Sequence, residues 1–202
     1  MLVMPPFYYR RPPDAGVVLW YQRLFDAALP ASGRVLLYHV PQTTGVPISD
    51  ELIRALRASH GEIVYGIKDS TGDPQQGKHL RETFPTLAYF AGNDHRVVEA
   101  CQDGGAGSIT ACANVFPDLA AAAQRAARGA GDPTLAQGQL SAARSVLDTF
   151  PLQPATKAAL AEVAGLPPTC VRPPQIELTP AQRAELRTAL LPFVHARVRG
   201  AV

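Results

Sequence analysis

Lys68 is the residue with the clearest chemical potential in this 202-residue sequence. It closes the apolar run 62–68 (EIVYGIK) and precedes the polar stretch Asp69-Ser70-Thr71-Gly72-Asp73. An amine at the end of a buried strand is partly desolvated, which disfavours its charged form and leaves a lone pair free to attack a carbonyl carbon. Tyr38 closes the preceding apolar run, 34–38 (RVLLY). A phenol at that place can pass protons to and from a bound substrate. Tyr8 and Tyr9 follow the first apolar run, where amphipathic aromatics at the rim of a core are ordinary. Asp69, Asp73 and Asp94 also follow run ends; no two are spaced as a metal set, and they are expected to cap the helices that follow. The histidines (His39, His60, His79, His95, His195) are scattered, so no metal site is expected. GxGxxG, GxxxxGK[ST] and GxSxG do not occur. Gly104-Gly105-Ala106-Gly107 precedes a strand candidate, which suits a tight turn better than a phosphate cradle.

Elements must bring these residues together. Short apolar runs at 1–4 (MLVM), 34–38, 62–68, 86–91 (TLAYFA) and 106–110 (AGSIT) read as five strands. Between them the spacing predicts helices over 14–29, from Ser49 onward with Leu52, Ile53 and Leu56 on one face, over 74–83 and over 95–102. Continuous apolar runs, without polar residues at alternate positions, mark strands buried on both faces of a parallel sheet. A doubly wound sheet and a βα barrel both fit, and in both the C-terminal strand ends form the functional face. After Asn114 only helices are expected: 116–128, 133–149, 156–163, and a last one from the Thr179-Pro180-Ala181-Gln182 start to about Leu191. The stretch 165–176, with four prolines, reads as a loop.

Composition bounds the alternatives. Lys and Arg number 19 against 17 Asp and Glu, a net charge of +2, which offers no field for nucleic acid or an acidic membrane surface. Apolar residues make up 47%, enough for a real core at this length, yet no window is long and apolar enough to span a bilayer. The start, MLVMPPFYYRRPP, lacks the pattern of a secretory signal, and three widely spaced cysteines suit free thiols, so a cytoplasmic place is expected.

Several segments resemble one family. Tyr38-His39-Val40-Pro41-Gln42-Thr43-Thr44-Gly45 resembles the YNVPxxTG motif of the dihydrodipicolinate synthase / N-acetylneuraminate lyase family, and Gly66-Ile67-Lys68-Asp69-Ser70-Thr71-Gly72-Asp73 resembles its GIKxxxGD motif. Pro6-Phe7-Tyr8-Tyr9, Ala91-Gly92-Asn93-Asp94 and the segment from Gly107-Ser108-Ile109 to Ala113-Asn114-Val115 resemble its PPYY, SGDD and G-x-I-S-x-x-AN segments, in the family's order. The resemblance implies an α/β fold of the (β/α)₈ TIM barrel type, here an incomplete barrel of about five βα units with extra C-terminal helices. Residues 1–115 would be the family's strands four to eight and residues 116–202 its C-terminal helical region. It implies a pyruvate-dependent class I aldolase, a carbon–carbon lyase. Lys68 would form a Schiff base with a 2-oxo acid and Tyr38 would relay protons. Gly92, Ile109, Thr43 and Thr44 would line the substrate site, with no cofactor or metal and a homodimer or homotetramer as the assembly.

Two departures from the family pattern shape the expectation. A complete barrel needs about 250 residues. The resemblance places Met1 inside the fourth strand, without the family's GTTGE loop, so an internal start or a fragment is expected. Thr43 stands where dihydrodipicolinate synthases carry an arginine that grips a carboxylate. That turns the expectation toward aldolases of 4-hydroxy-2-oxoglutarate or 2-keto-3-deoxy sugar acids, as do the KDS-x-GD wording and the Cys170…Pro174…Leu178-Thr179-Pro180 tail. The competing expectations are a catalytically incompetent truncated relative and a non-enzymatic 2-oxo-acid-binding protein.

Overall fold

The structure is a computed structural model describing residues 1–30 and 32–199, with side chains described to residue 194. Ala31, the His195 side chain and the last residues of the expected 116–202 region lie outside the described residues. The chain divides into two compact units, Met1–Asn93 with Glu99–Ile109, and Asp94–Val98 with Thr110–Val202.

The first unit is a five-stranded, wholly parallel sheet in the order β1-β2-β3-β4-β5. Its elements follow the chain: β1 (Leu2–Val3), α1 (Asp14–Ala28), β2 (Val35–His39), α2 (Pro41–Thr44), α3 (Asp50–His60), β3 (Val64–Asp69), α4 (Pro74–Thr83), β4 (Ala88–Ala91), α5 (Val97–Gln102) and β5 (Gly107–Ser108). Strand order equal to chain order leaves no switch point. This is the progression of a βα barrel, and it removes the doubly wound alternative.

The helices form for local reasons. Ser49 caps α3 by accepting from Leu52 N at 3.1 Å, with Asp50 and Glu51 complementing the helix dipole. Asp73 caps α4, as expected, by accepting from Gln75 N at 2.9 Å, with Pro74 at the first helical position. Helix α1 buries Val17, Tyr21 and Phe25, and α3 buries Leu52, Ile53 and Leu56. They pack with Val35, Leu37, Val64 and Ile67 of the sheet in one core, each fully buried side chain contributing about 2 kcal/mol. The Tyr21 hydroxyl donates to Val3 O at 3.2 Å, and burial pushes its phenol above its ordinary range of ionisation.

The sheet differs from the sequence expectation in two respects. Burial alternates along β2: Val35, Leu37 and His39 are buried under the helices, while Leu36 and Tyr38 are only half-buried. The same face continues through half-buried Lys68, Ala88 and Phe90. The runs are apolar on both sides, but helices cover only one. The ends also move. Residues 61–63 form a 3₁₀ turn before β3, and a turn in which Leu87 N donates to Phe84 O delays β4 to Ala88.

The second unit is helical: α6 (Cys112–Val115), α7 (Pro117–Ala127), α8 (Pro133–Asp148), α9 (Leu152–Ala164) and α10 (Pro180–Arg199). Buried Ala120, Ala123 and Ala126 of α7 and Ala136, Leu140, Ala143 and Leu147 of α8 line the two helices with mostly small side chains, which allows close approach. Helix α10 runs past Pro192, beyond the expected stop. A proline there forfeits one backbone hydrogen bond, but Leu190 is buried and Phe193 stacks on Phe116 with centroids 5.7 Å apart, so packing carries the helix onward. Asp94 does not cap a helix. It is fully buried, and its Oδ2 accepts from Arg144 Nη1 at 3.0 Å and Cys112 N at 3.3 Å. Gln137 Nε2 donates to Asp94 O at 2.9 Å, and Arg144 Nε also binds Asp148 at 2.8 Å. The Arg144→Ala variant leaves a buried carboxylate unpaired, so chemical denaturation should show a loss of about 3 kcal/mol. A change under about 0.5 kcal/mol would show that the pair contributes little.

Candidate functional site

Tyr38 and Lys68 are partners in the sheet register, β2 against β3. That register is not the one β2 and β3 begin with. Val35 pairs with Val64, but Leu36 pairs with Gly66, so Tyr65 stands without a partner and shifts all that follows by one. The result sets Lys68 Nζ 4.0 Å from the Tyr38 ring centroid, a cation over an aromatic face. Among the described residues neither the Lys68 amine nor the Tyr38 hydroxyl has a hydrogen-bond or ion-pair partner. Both polar groups are therefore available to a ligand.

The loops around this pair begin as extensions of the sheet. Ser70 N donates to His39 O at 2.9 Å, Gly92 N to Asp69 O at 2.7 Å and Ile109 N to Ala91 O at 2.9 Å. Each strand end is thus tied to the next strand's loop. Gly92 is needed for this closeness: a Cβ there would lie 2.0 Å from Ser70 Oγ and 2.8 Å from Asp69 O. Gln42, from α2, adds a fourth tie by donating Nε2 to Ser70 O at 2.7 Å.

The two threonines differ. Thr43 is exposed and its hydroxyl has no partner among the described residues. Thr44 is buried, and its hydroxyl is engaged within its own loop, at 3.2 Å from Val40 O and 3.1 Å from both Val46 N and O. Gly45 ends α2 in the left-handed conformation (φ 68°), which favours glycine there. Lys68 and Tyr38 therefore meet directly. Gly92 and Ile109 lie at the same ends of β4 and β5, Thr43 lies on α2, and Thr44 ties the end of α2 to Val46.

Behind the pair, on the helix-covered side, are polar residues whose arrangement the sequence does not reveal. His39 and Asp69 are register partners and both are buried. Asp69 does not cap a helix: its Oδ1 accepts from Thr71 N at 3.0 Å and Thr71 Oγ1 at 2.8 Å, and its Oδ2 accepts from Tyr89 OH at 3.2 Å. The only sequence signal for this role is a carboxylate directly after the lysine, two residues before a threonine. Burial lowers the His39 pKa from its ordinary 6.5, against an opposing pull from the Asp69 carboxylate. Among the described residues no group of three His, Cys, Asp or Glu side chains could hold a metal, and no helix is long and apolar enough to cross a membrane.

Comparison with known proteins agrees with the geometry. The dihydrodipicolinate synthetase family matches residues 1–191. An uncharacterised DapA-like lyase of Chloroflexus aurantiacus is 44% identical over 189 residues, an alignment covering 94% of this chain and 63% of that protein. The crystal structure of dihydrodipicolinate synthase from Agrobacterium tumefaciens superposes with a TM-score of 0.74 at 26% identity, covering 94% of this chain and 64% of that one. A prophage protein of the dihydrodipicolinic acid synthase family from E. coli K12, solved with pyruvate, superposes at 0.84 with 22% identity, over 95% and 65% of the two chains. The chain belongs to the dihydrodipicolinate synthetase family, and its five βα units form an incomplete (β/α)₈ TIM barrel with added C-terminal helices. It spans slightly less than two thirds of the length of these relatives.

Two outcomes follow from the geometry. Gly92→Ala forces Ser70 and the end of β3 to move, so it should cost roughly 1–3 kcal/mol in thermal or urea unfolding; unchanged stability would show that the loop yields freely. His39 resists protonation when folded, so the unfolded chain binds the extra proton as pH falls below 6.5. Stability should be full above that value and decline below it. The decline should be smaller in His39→Asn, read as melting temperature at pH 7.5, 6.5 and 5.5.

Proposed function

We propose that this protein is a class I aldolase, a carbon–carbon lyase that handles a 2-oxo acid through a Schiff base on Lys68. The observation that supports this most directly is the Lys68 amine lying over the Tyr38 ring, with neither polar group engaged elsewhere among the described residues. Neutral Lys68 Nζ adds to the C2 carbonyl, giving a carbinolamine; the Tyr38 hydroxyl gives its proton to the departing oxygen, which leaves as water, so that a protonated imine and a Tyr38 phenolate remain. In the cleavage direction the electron pair of the C3–C4 bond moves into the iminium, leaving an enamine. Tyr38 takes the proton from the C4 hydroxyl as that carbon becomes an aldehyde. A proton is then returned to C3, and water hydrolyses the imine, freeing pyruvate and Lys68. The reverse sequence forms the bond. No metal is needed, because the iminium is itself the electron sink.

Gly92 and Ile109 line the pyruvate end, and Thr43 meets the aldehyde fragment with Thr44 holding its loop in shape. A neutral hydroxyl at Thr43 suits a polyhydroxylated fragment, such as that of a 2-keto-3-deoxy sugar acid, better than it suits the carboxylate-bearing aldehydes of 4-hydroxy-2-oxoglutarate cleavage or dihydrodipicolinate synthesis. The pyruvate carried by the E. coli relative supports the 2-oxo-acid half of this reading. The working form is a cytoplasmic homodimer or homotetramer.

Mixing the purified chain with pyruvate and borohydride, then reading intact and peptide masses, tests the reading. A reduced pyruvyl adduct on Lys68 is expected, absent in Lys68→Ala, and in Tyr38→Phe aldol turnover should fall roughly 10²–10⁴-fold. A folded chain that forms no adduct overturns the proposal. An adduct with no aldol product from any hydroxyaldehyde would leave only reversible 2-oxo-acid binding.

A further inference from the structure

Asp69 has more partners than a residue next to a reactive lysine needs for folding alone. Its carboxylate is 3% exposed and accepts three hydrogen bonds, from Thr71 N, Thr71 Oγ1 and Tyr89 OH, and its backbone carbonyl accepts a fourth from Gly92 N. One residue thereby joins the loop that leaves β3, the neighbouring strand β4 and the loop that leaves β4. Tyr89 is itself confined. A Cβ on Gly77 of α4 would lie 2.6 Å from its hydroxyl, and the Arg81 guanidinium sits 5.0 Å from its ring centroid. On the other side Asp69 is the register partner of buried His39, whose carbonyl holds Ser70 N. Asp69 thus lies one residue from Lys68 and His39 one residue from Tyr38, both on the covered face of the sheet.

We propose that Asp69 is the positioning residue of the Tyr38–Lys68 pair: its buried carboxylate fixes the end of β3 against β4 and the Ser70–Asp73 loop, so that the Lys68 amine meets a carbonyl carbon in a reactive geometry. The inference rests on the Schiff-base reading given above. A carboxylate is suited to this place because it accepts from several donors at once, and charge-assisted hydrogen bonds are shorter and stronger than neutral ones. The displacement it prevents is small, yet a misplacement on the order of 1 Å can cost roughly 10²-fold in rate.

The test separates speed from folded fraction. The chain is mixed with pyruvate, quenched with borohydride over a time course, and the Lys68 adduct is read by mass. The amplitude counts competent chains, and the rate constant reports the geometry. In Asp69→Ala the rate constant should fall roughly 10–100-fold at near-full amplitude. Thr71→Val and Tyr89→Phe, which each remove one donor, should slow it by a few fold. If Asp69→Ala fails to fold, Asp69→Asn decides the matter: it keeps the shape and the Thr71 acceptor but loses the charge, and should be slower than wild type. Rate constants within twofold of wild type, or a loss confined to amplitude, overturn the inference while the wild-type adduct keeps the aldolase reading intact. A folded wild-type chain with no adduct overturns that reading and the inference with it.

Discussion

One unpaired residue in β3 sets the chemistry of this sheet. Strands β2 and β3 start with Val35 beside Val64, and an uninterrupted ladder would carry Tyr38 to Ile67. Tyr65 adds one residue to β3, and the shifted ladder brings Tyr38 beside Lys68. Neighbours across a parallel pair lie about 4.8 Å apart and point to the same face, so the phenol and the amine meet only in the shifted register. The bulge leaves Tyr65 half exposed, an unusual place for a tyrosine inside a strand. The residue after it must be glycine, because a Cβ on Gly66 would lie 2.4 Å from Ala88 O and 2.7 Å from Leu36 Cδ2. The glycine of the GIK motif is therefore a consequence of the register, and the register is what makes the lysine useful.

The two faces of the sheet divide the work that follows. On the helix side Leu37, Ile67 and Tyr89 are clamped by the core, and the polar His39 and Asp69 sit at the strand ends, where the loops' backbone donors can reach them. The successive ties from Ser70, Gly92 and Ile109 to the carbonyls of His39, Asp69 and Ala91 make each loop a continuation of its strand. A loop held in this way loses little further entropy when a ligand arrives. In the helical unit Asp94 anchors its surroundings similarly, through Arg144, Cys112 N and Gln137. In both places a buried carboxylate is supplied with donors from separate segments, which is the arrangement that keeps a buried charge tolerable.

Much of this was legible in the sequence, and the rest was hidden for identifiable reasons. The helices at 14–28, 50–60 and 74–83 are announced by Asp14, Ser49 and Asp73 together with their apolar spacing, and the strands by their apolar runs. Lys68 and Tyr38 could be singled out because each closes such a run. Short α2 and α6 were not visible, since four residues carry no helical period. The start of α9 at Leu152 was hidden by Pro154, which reads as a breaker yet sits in the first turn, where a proline is tolerated. The role of Asp94 depends on donors from distant segments, and that of Asp69 on distant Tyr89 as well as nearby Thr71, so local spacing suggested only helix caps. The bulge at Tyr65 has no sequence mark beyond the glycine that follows it.

The surroundings of Lys68 favour a small, flat partner. In the register Lys68 lies between Tyr38 on β2 and Phe90 on β4, and its amine sits over the Tyr38 ring. Three of the other positions on that face are small: Gly66 two residues earlier in its own strand, Ala88 two residues earlier in β4, and Gly107 beside Phe90; Leu36, beside Gly66 on β2, is the large one. Even a methyl group is excluded at Gly66 by the Ala88 carbonyl and at Gly92 by Ser70. An amine against the Tyr38 ring, beside Gly66 and Ala88, leaves a planar carbonyl compound room to approach Nζ from the open side of the sheet. A 2-oxo acid, the substrate class proposed above, has that shape, since its carbonyl and carboxyl groups can lie in one plane.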